Sequence, residues 1–453
     1  MKDIKVGIIE KLGYGSIHLS ANLLVSFVNM LILFYFTDVF GISPAVAGAV
    51  IAFGLIWDGI NDPLIAHYGD NHRFKNGERS RPYMLYFCMP LAIATVLMFS
   101  PFALSQNMKV AYIILIYLIF YSFTTFWRLP GFTMQTLATP DLKDRLSINV
   151  FVSGGATIGA MLAGVMCWPL VRLFSGLDSG GEMLNPERGF PMTAGVIGLI
   201  IIGTSIFSYF NSKERVFPRQ SNEEKISILG SFKIAIKDHN FRWNTAFSTL
   251  YFSNNTLMMA TLVYYCTYVY RRPAAATMIM AVFAIGSLLA LPFIKKIDLV
   301  IGRRKAMMLG GLLVFIGKIP FVIFPYNMTT MYIAALTMGL SVALNIVTFS
   351  TTRAEVADHI EYVNNRRIDS MVVNFMGFIN KCGTSLTTLA IGLILQFTGY
   401  DASLAEQSHS VIIAMVIIVG WTSMAVSLLM ILCGSRINIE DVVKEMKEAK
   451  YHS

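Results

Sequence analysis

Apolar residues in this chain fall into continuous blocks separated by short polar loops. Each block is about 20 residues long, the length a helix needs to cross a hydrocarbon layer. The blocks do not alternate with period two, which argues against a transmembrane barrel and predicts an all-α membrane protein. Twelve of them begin near residues 12, 44, 83, 109, 148, 190, 244, 274, 306, 329, 371 and 410, so twelve transmembrane helices are expected. The polar opening MKDIKVGIIEKLGYG does not read as a cleavable signal peptide.

The longest polar stretch, NSKERVFPRQSNEEK (211–225), follows the sixth block. It divides the chain into an N-terminal six-helix half (1–212), a cytoplasmic central loop (213–240) and a C-terminal six-helix half (241–453). Helical periodicity in ISILGSFKIAIKDH predicts a helix lying along the inner membrane surface. The loop GDNHRFKNGERSRP (69–82) is echoed by IDLVIGRRK (297–305), each with an acid ahead of Gly and a basic cluster. Two parallel six-helix repeats would produce that echo, although short basic loops also gather Arg and Gly by themselves. The small-residue run GGATIGAMLAG (154–164), with Gly155 and Gly159, predicts close helix packing; a phosphate loop would need a preceding strand.

With 55% hydrophobic residues, 14% charged and a mean hydropathy of +0.60, a soluble domain is excluded. The net charge of +9 is concentrated in alternate loops: Arg73 to Arg81, Lys143 with Arg145, residues 213–237, residues 295–305, and Arg366 with Arg367. The opposite loops hold only Lys109, Arg172, Arg188, Arg271 and Arg272. This bias places both termini in the cytoplasm and the chain in the cell inner membrane. The lipid bilayer is partner enough for such loops, and no nucleic acid is implied. Cys88, Cys167, Cys266, Cys382 and Cys433 lie in apolar blocks without C-x-x-C spacing and read as small core residues. No H-E-x-x-H or nucleophile–base constellation is present, so an enzyme is not expected.

The informative residues are polar ones at membrane depth. Asp58 and Asp62 share one face of the second span, and each acid at such depth costs about 2.5–3.5 kcal/mol. Two carboxylates held together in low dielectric need a shared cation, a proton or a basic partner. Asn61, Thr124 and Thr125 offer further oxygens for a hard cation; a structural salt-bridged pair is the alternative. Arg128 on the fourth span suits either the acids or an anionic substrate. Lys381 on the eleventh span, with Asn374 and Asn380 nearby, is too deep to snorkel and is expected to face a cavity. The amides of Asn22, Asn29, Asn149, Asn254, Asn255 and Asn345 serve equally as interhelical glue or substrate contacts. Lys318 has no evident role, and Arg353, Glu355, Asp358 and Glu361 read either as a salt-bridged gate or as a solvated loop.

The motif IWDGINDP (56–63), followed by GERSRP (77–82), resembles the hallmark of the melibiose permease-like glycoside-pentoside-hexuronide:cation symporters. The likeness continues through residues 11–43 and 354–386 and covers most of the chain. It implies a major facilitator fold importing a sugar with Na⁺, H⁺ or Li⁺, and no cofactor besides that coupling ion. By this resemblance Asp58 and Asp62 are the cation-site acids, and the Na⁺ ligands if sodium is the ion; Thr125 stands beside them. Lys381 matches the lysine of span 11, and Arg367 and Asp369 match charges in the preceding loop.

The departures also matter. Asn22 and Arg128 stand where galactoside transporters of the family carry sugar-gripping acids, Phe132 replaces a stacking aromatic, and Ser153 replaces an Arg. Exchanging two acids for an amide and a guanidinium makes the site more positive by about three charges, which favours an anionic substrate. The expectation is therefore a cation-coupled importer of an acidic glycoside, such as a hexuronide or a sulfonated sugar. A proton-coupled exporter of drugs or lipids on the same fold is the alternative.

Overall fold

The computed structural model describes residues 6–74, 78, 80–139, 142–179, 183–215, 228–364, 369–404, 406–440 and 442. Lys75, Arg79, Arg219, Lys225, Arg366 and Arg367 lie outside the described residues. The side chains of Phe132, Lys143, Arg145 and Asp369, all in helices, also lie outside them.

Thirteen helices account for nearly all of the described chain. The first six are α1 (Ile8–Val39), α2 (Pro44–Asn71), α3 (Pro82–Met98), α4 (Gln106–Leu137), α5 (Leu142–Leu162, continuing through a π turn into Trp168–Ser175) and α6 (Pro186–Asn211). The short α7 (Ile228–Lys237) precedes α8 (His239–Tyr264), α9 (Ala275–Ile301), α10 (Arg303–Ile323), α11 (Met328–Asn364), α12 (Asp369–Phe397) and α13 (His409–Ser435). Proline at the first turn starts α2, α3 and α6, where its missing N–H costs nothing. Asp238 starts α8 by accepting the Phe241 N–H at 2.7 Å.

Leaving α7 aside, the other twelve occupy the twelve expected spans. Ten helical stretches among the described residues are long and apolar enough to cross a membrane. The two outside that set are α3, with 17 residues, and α8, whose face carries Asn244, Thr245, Ser248, Ser253 and Asn254. In α7, Ser231 and Ala235 are buried and Lys233, Ile236 and Lys237 are exposed, the amphipathic division its periodicity predicts.

The chain divides into two compact units, Met1–Asn222 and Glu223–Ser453. Within the first, the main packing pairs are α1 with α5, α1 with α6, α2 with α4, α3 with α4 and α3 with α6. Within the second, the same five pairs recur as α8 with α12, α8 with α13, α9 with α11, α10 with α11 and α10 with α13. This is the internal repeat that the loop echo suggested.

Two finer details repeat as well. The first spanning helix of each unit, α1 and α8, ends in a π turn, Tyr35–Val39 and Tyr265–Val269, at the same Y-x-T-x-V sequence. The third spanning helix of each unit, α3 and α10, is capped by a carboxylate from the segment after the last helix. Glu214 accepts the Ser80 and Arg81 amides at 2.8 and 2.7 Å, and Glu440 accepts the Arg303 amide at 2.6 Å. A carboxylate at a helix N-terminus satisfies orphan donors and meets the positive end of the dipole. Arg81 pairs with Glu78, and Arg303 with Glu355 and Asp298.

The small-residue run on α5 is packing. A Cβ on Gly155 would lie 2.2 Å from the Gly15 carbonyl oxygen, and one on Gly159 2.0 Å from that of Leu19. Only glycine lets α1 and α5 approach backbone to backbone.

Candidate functional site

Helices α2 and α4 meet along a polar seam. Trp57 donates its indole N–H to Ser122 at 3.1 Å. One turn further along, the Thr125 hydroxyl oxygen lies 3.3 Å from an Asp58 carboxylate oxygen, 3.0 Å from one of Asp62 and 3.1 Å from the Tyr121 carbonyl. The four-residue spacing of the acids thus aims both at one point on the facing helix. A hydroxyl has one proton, so Thr125 donates to one of these oxygens at a time.

Asp58 is 7% exposed, whereas Asp62 is exposed. The cluster therefore has one buried wall and one open side. Asn61 is buried between the two acids in sequence, and its amide N–H₂ finds no acceptor among the described residues. Thr124 does not join the cluster, because its hydroxyl is spent on the Phe120 carbonyl of its own helix at 2.7 Å. No group of three or more His, Cys, Asp or Glu able to hold a metal occurs among the described residues. Two carboxylates and a hydroxyl form an oxygen set suited to a hard monovalent ion or a proton.

A second polar group lies between α4 and α1. Arg128, one turn beyond Thr125, is half-buried. His18 bonds through Nε2 to the Gly131 carbonyl at 2.9 Å, and Asn22 donates its amide to the His18 carbonyl, also at 2.9 Å. Asn22 and the turn of α4 that bears Arg128 therefore meet at one histidine, a residue to which sequence reasoning assigned nothing. Its only signal was the four-residue step to Asn22. Asn29, Asn149 and Ser153 are exposed, and Phe132 lies on α4 one residue past Gly131.

The candidates of the second unit are held differently. Lys381 is half-buried on α12. Its neighbour Asn380 accepts from Ser248 at 2.9 Å and from Thr249 at 2.8 Å. Asn254 is 2% exposed and accepts from Ser423 at 2.6 Å, which joins α8 to α13, whereas Asn345 donates within α11 to Ser341 at 2.8 Å, and it is Ser341 that reaches the Gly310 carbonyl of α10. Asn255 turns back onto the Tyr251 carbonyl, and Asn374 is exposed. Lys318 is 1% exposed, with its ammonium 5.4 Å from the Phe321 ring centre. Glu355 takes part in an ion pair with Arg303, whereas Asp358 is exposed.

Repeated six-helix units of membrane-spanning length, with polar clusters inside, define a membrane transporter of the major facilitator type. Residues 13–441 match the family described as MFS/sugar transport protein, and the chain belongs to it. It shares 28% identity with an uncharacterized symporter, YnaJ, of Bacillus subtilis, over 89% of this chain and 86% of that protein. Identity with the isoprimeverose transporter of Lactiplantibacillus pentosus is 27%, over 88% and 82%. A putative sulfoquinovose importer of Salmonella typhimurium is 21% identical over 90% and 85%. The resemblance to glycoside and cation symporters read from IWDGINDP thus extends over most of the chain, residues 13–441 in the family match. Among solved structures, an inward-facing, unoccupied bacterial homolog of the human lysosomal transporter Spinster shares the fold with a TM-score of 0.68, at 14% identity over 95% of this chain and 97% of that one.

Proposed function

We propose that this protein is a cation-coupled symporter that imports a glycoside bearing an acidic group. The observation that carries the reading is the convergence of Asp58 and Asp62 on the single hydroxyl of Thr125. Two carboxylates held this close in low dielectric favour a shared cation or proton, and a mobile Na⁺ or H⁺ is suited to that task. Binding the ion would fix α2 against α4, and with it the turn of α4 that bears Arg128.

Arg128 supplies positive charge for the substrate's acidic group, and Lys381 is the basic candidate of the second half. The relative named as a putative sulfoquinovose importer supports a sulfonated or uronic sugar, and the isoprimeverose transporter supports a glycoside. The basic loops and both termini face the cytoplasm in this reading. Import then draws the cation down its gradient.

The test is uptake into vesicles of labelled uronides, sulfosugars and neutral glycosides under separately imposed Na⁺ and H⁺ gradients. Accumulation of an acidic sugar above equilibrium, driven by one inward cation gradient, is expected. Accumulation driven by an outward gradient would replace symport with export by antiport, and uptake unaffected by either gradient would remove the coupling role of Asp58 and Asp62.

A further inference from the structure

We propose that His18 is a specificity-positioning residue: its bond to the Gly131 carbonyl clamps the Arg128 turn of α4 against Asn22 of α1, giving the anionic substrate a preformed pair of donors. This rests on the functional reading above and adds to it the residue that sets the geometry of recognition.

A carbonyl oxygen only accepts, so the 2.9 Å contact requires the His18 proton on Nε2. The receiving turn is the weak point of α4. Pro130 lacks an N–H and leaves the Phe126 carbonyl without its intrahelical donor, so the helix loses one rung beside Arg128. Residue 131 is also suited to the clamp. A Cβ there would stand 3.2 Å from His18 Nε2, tighter than most such contacts, so glycine admits the ring to the carbonyl. On the α1 side the His18 carbonyl holds the Asn22 amide at 2.9 Å. One residue thus touches both elements that carry the substrate candidates of this half. The acid cluster, one turn away at Thr125, has its own ties through Trp57 and Ser122.

The experiment uses the purified full-length chain. Hydrogen exchange across residues 122–134 is measured without any sugar, and proteoliposome uptake is measured with labelled methyl glucuronide. His18→Ala should speed exchange of the α4 turn and raise the half-saturating glucuronide concentration by about tenfold, the effect of one lost hydrogen bond. Its maximal rate and half-saturating cation concentration should stay within about twofold. His18→Gln, which keeps an N–H at similar reach, should restore both readouts, and Gly131→Ala, which leaves His18 intact, should reproduce the defect.

Unchanged α4 exchange in His18→Ala would overturn the clamp whatever the substrate is. Equal impairment in His18→Gln, or a parallel loss of cation affinity, would overturn it too, because the ring would then act through chemistry or overall folding. If the wild type accumulates no acidic or neutral glycoside, the functional reading fails, and the exchange result still decides the clamp.

Discussion

The two halves of this transporter share a scaffold and differ in chemistry. The same five helix pairs, the same π turn at the end of the first spanning helix and the same carboxylate cap on the third spanning helix occur in both. In the first half, however, two acids and a hydroxyl converge with one side open, whereas in the second the amides of Asn254 and Asn380 are occupied by hydroxyls of neighbouring helices. Packing is what the repeat conserves, and the paired carboxylates are what the first half adds to it.

The sharpest way to break the comparison is Asp58→Asn. If only the first half carries the coupling ion, gradient-driven accumulation in vesicles should fall by about 100-fold or more, with cation dependence lost. Normal uphill uptake by that variant would erase the distinction between the halves. Arg128→Ala comes next, with uptake of an acidic glycoside reduced about 30-fold and that of a neutral one about threefold. Equal losses, relieved by also removing Asp58, would make Arg128 a structural partner of the acids.

The matching glycines give a smaller and more mechanical contrast. On α5, Gly159 meets the backbone of α1, whereas on α12 the corresponding contact is Gly383 with the Thr249 methyl at 2.2 Å from a built Cβ. Backbone moves less readily than a side chain, so Gly159→Ala should cost about 2–3 kcal/mol and Gly383→Ala about 1 kcal/mol, read from thermal unfolding in detergent. Smallest of all, Glu214→Gln and Glu440→Gln should each cost about 1 kcal/mol. Unequal costs would mean that the caps resemble each other without being equivalent.

Much of this was legible in the sequence because bilayer physics leaves few options: long apolar blocks must be helices, and an acid at depth must have a reason. The α3 and α8 spans show where that reading thins. Polar residues of α8 are paid for by contacts inside the half, which a count of apolar residues along one block does not register. Asp58, Asp62 and Thr125 could be brought together from spacing and resemblance, since the acids share a helix and the threonine comes from a matching motif. His18 could not, because its partner is a backbone carbonyl on another helix, and no side-chain pattern reports which carbonyl is exposed by a glycine after a proline. The Y-x-T-x-V repeat gains meaning only beside the structure, where both copies are π turns.

The Glu440 cap makes the far end of the chain a buckle. Shortening the protein ahead of residue 440, or fusing a bulky tag there, would unfasten the start of α10 and loosen the second half while leaving the first with its own Glu214 fastening intact. Where reporter domains are attached for transport assays, the join belongs beyond that glutamate.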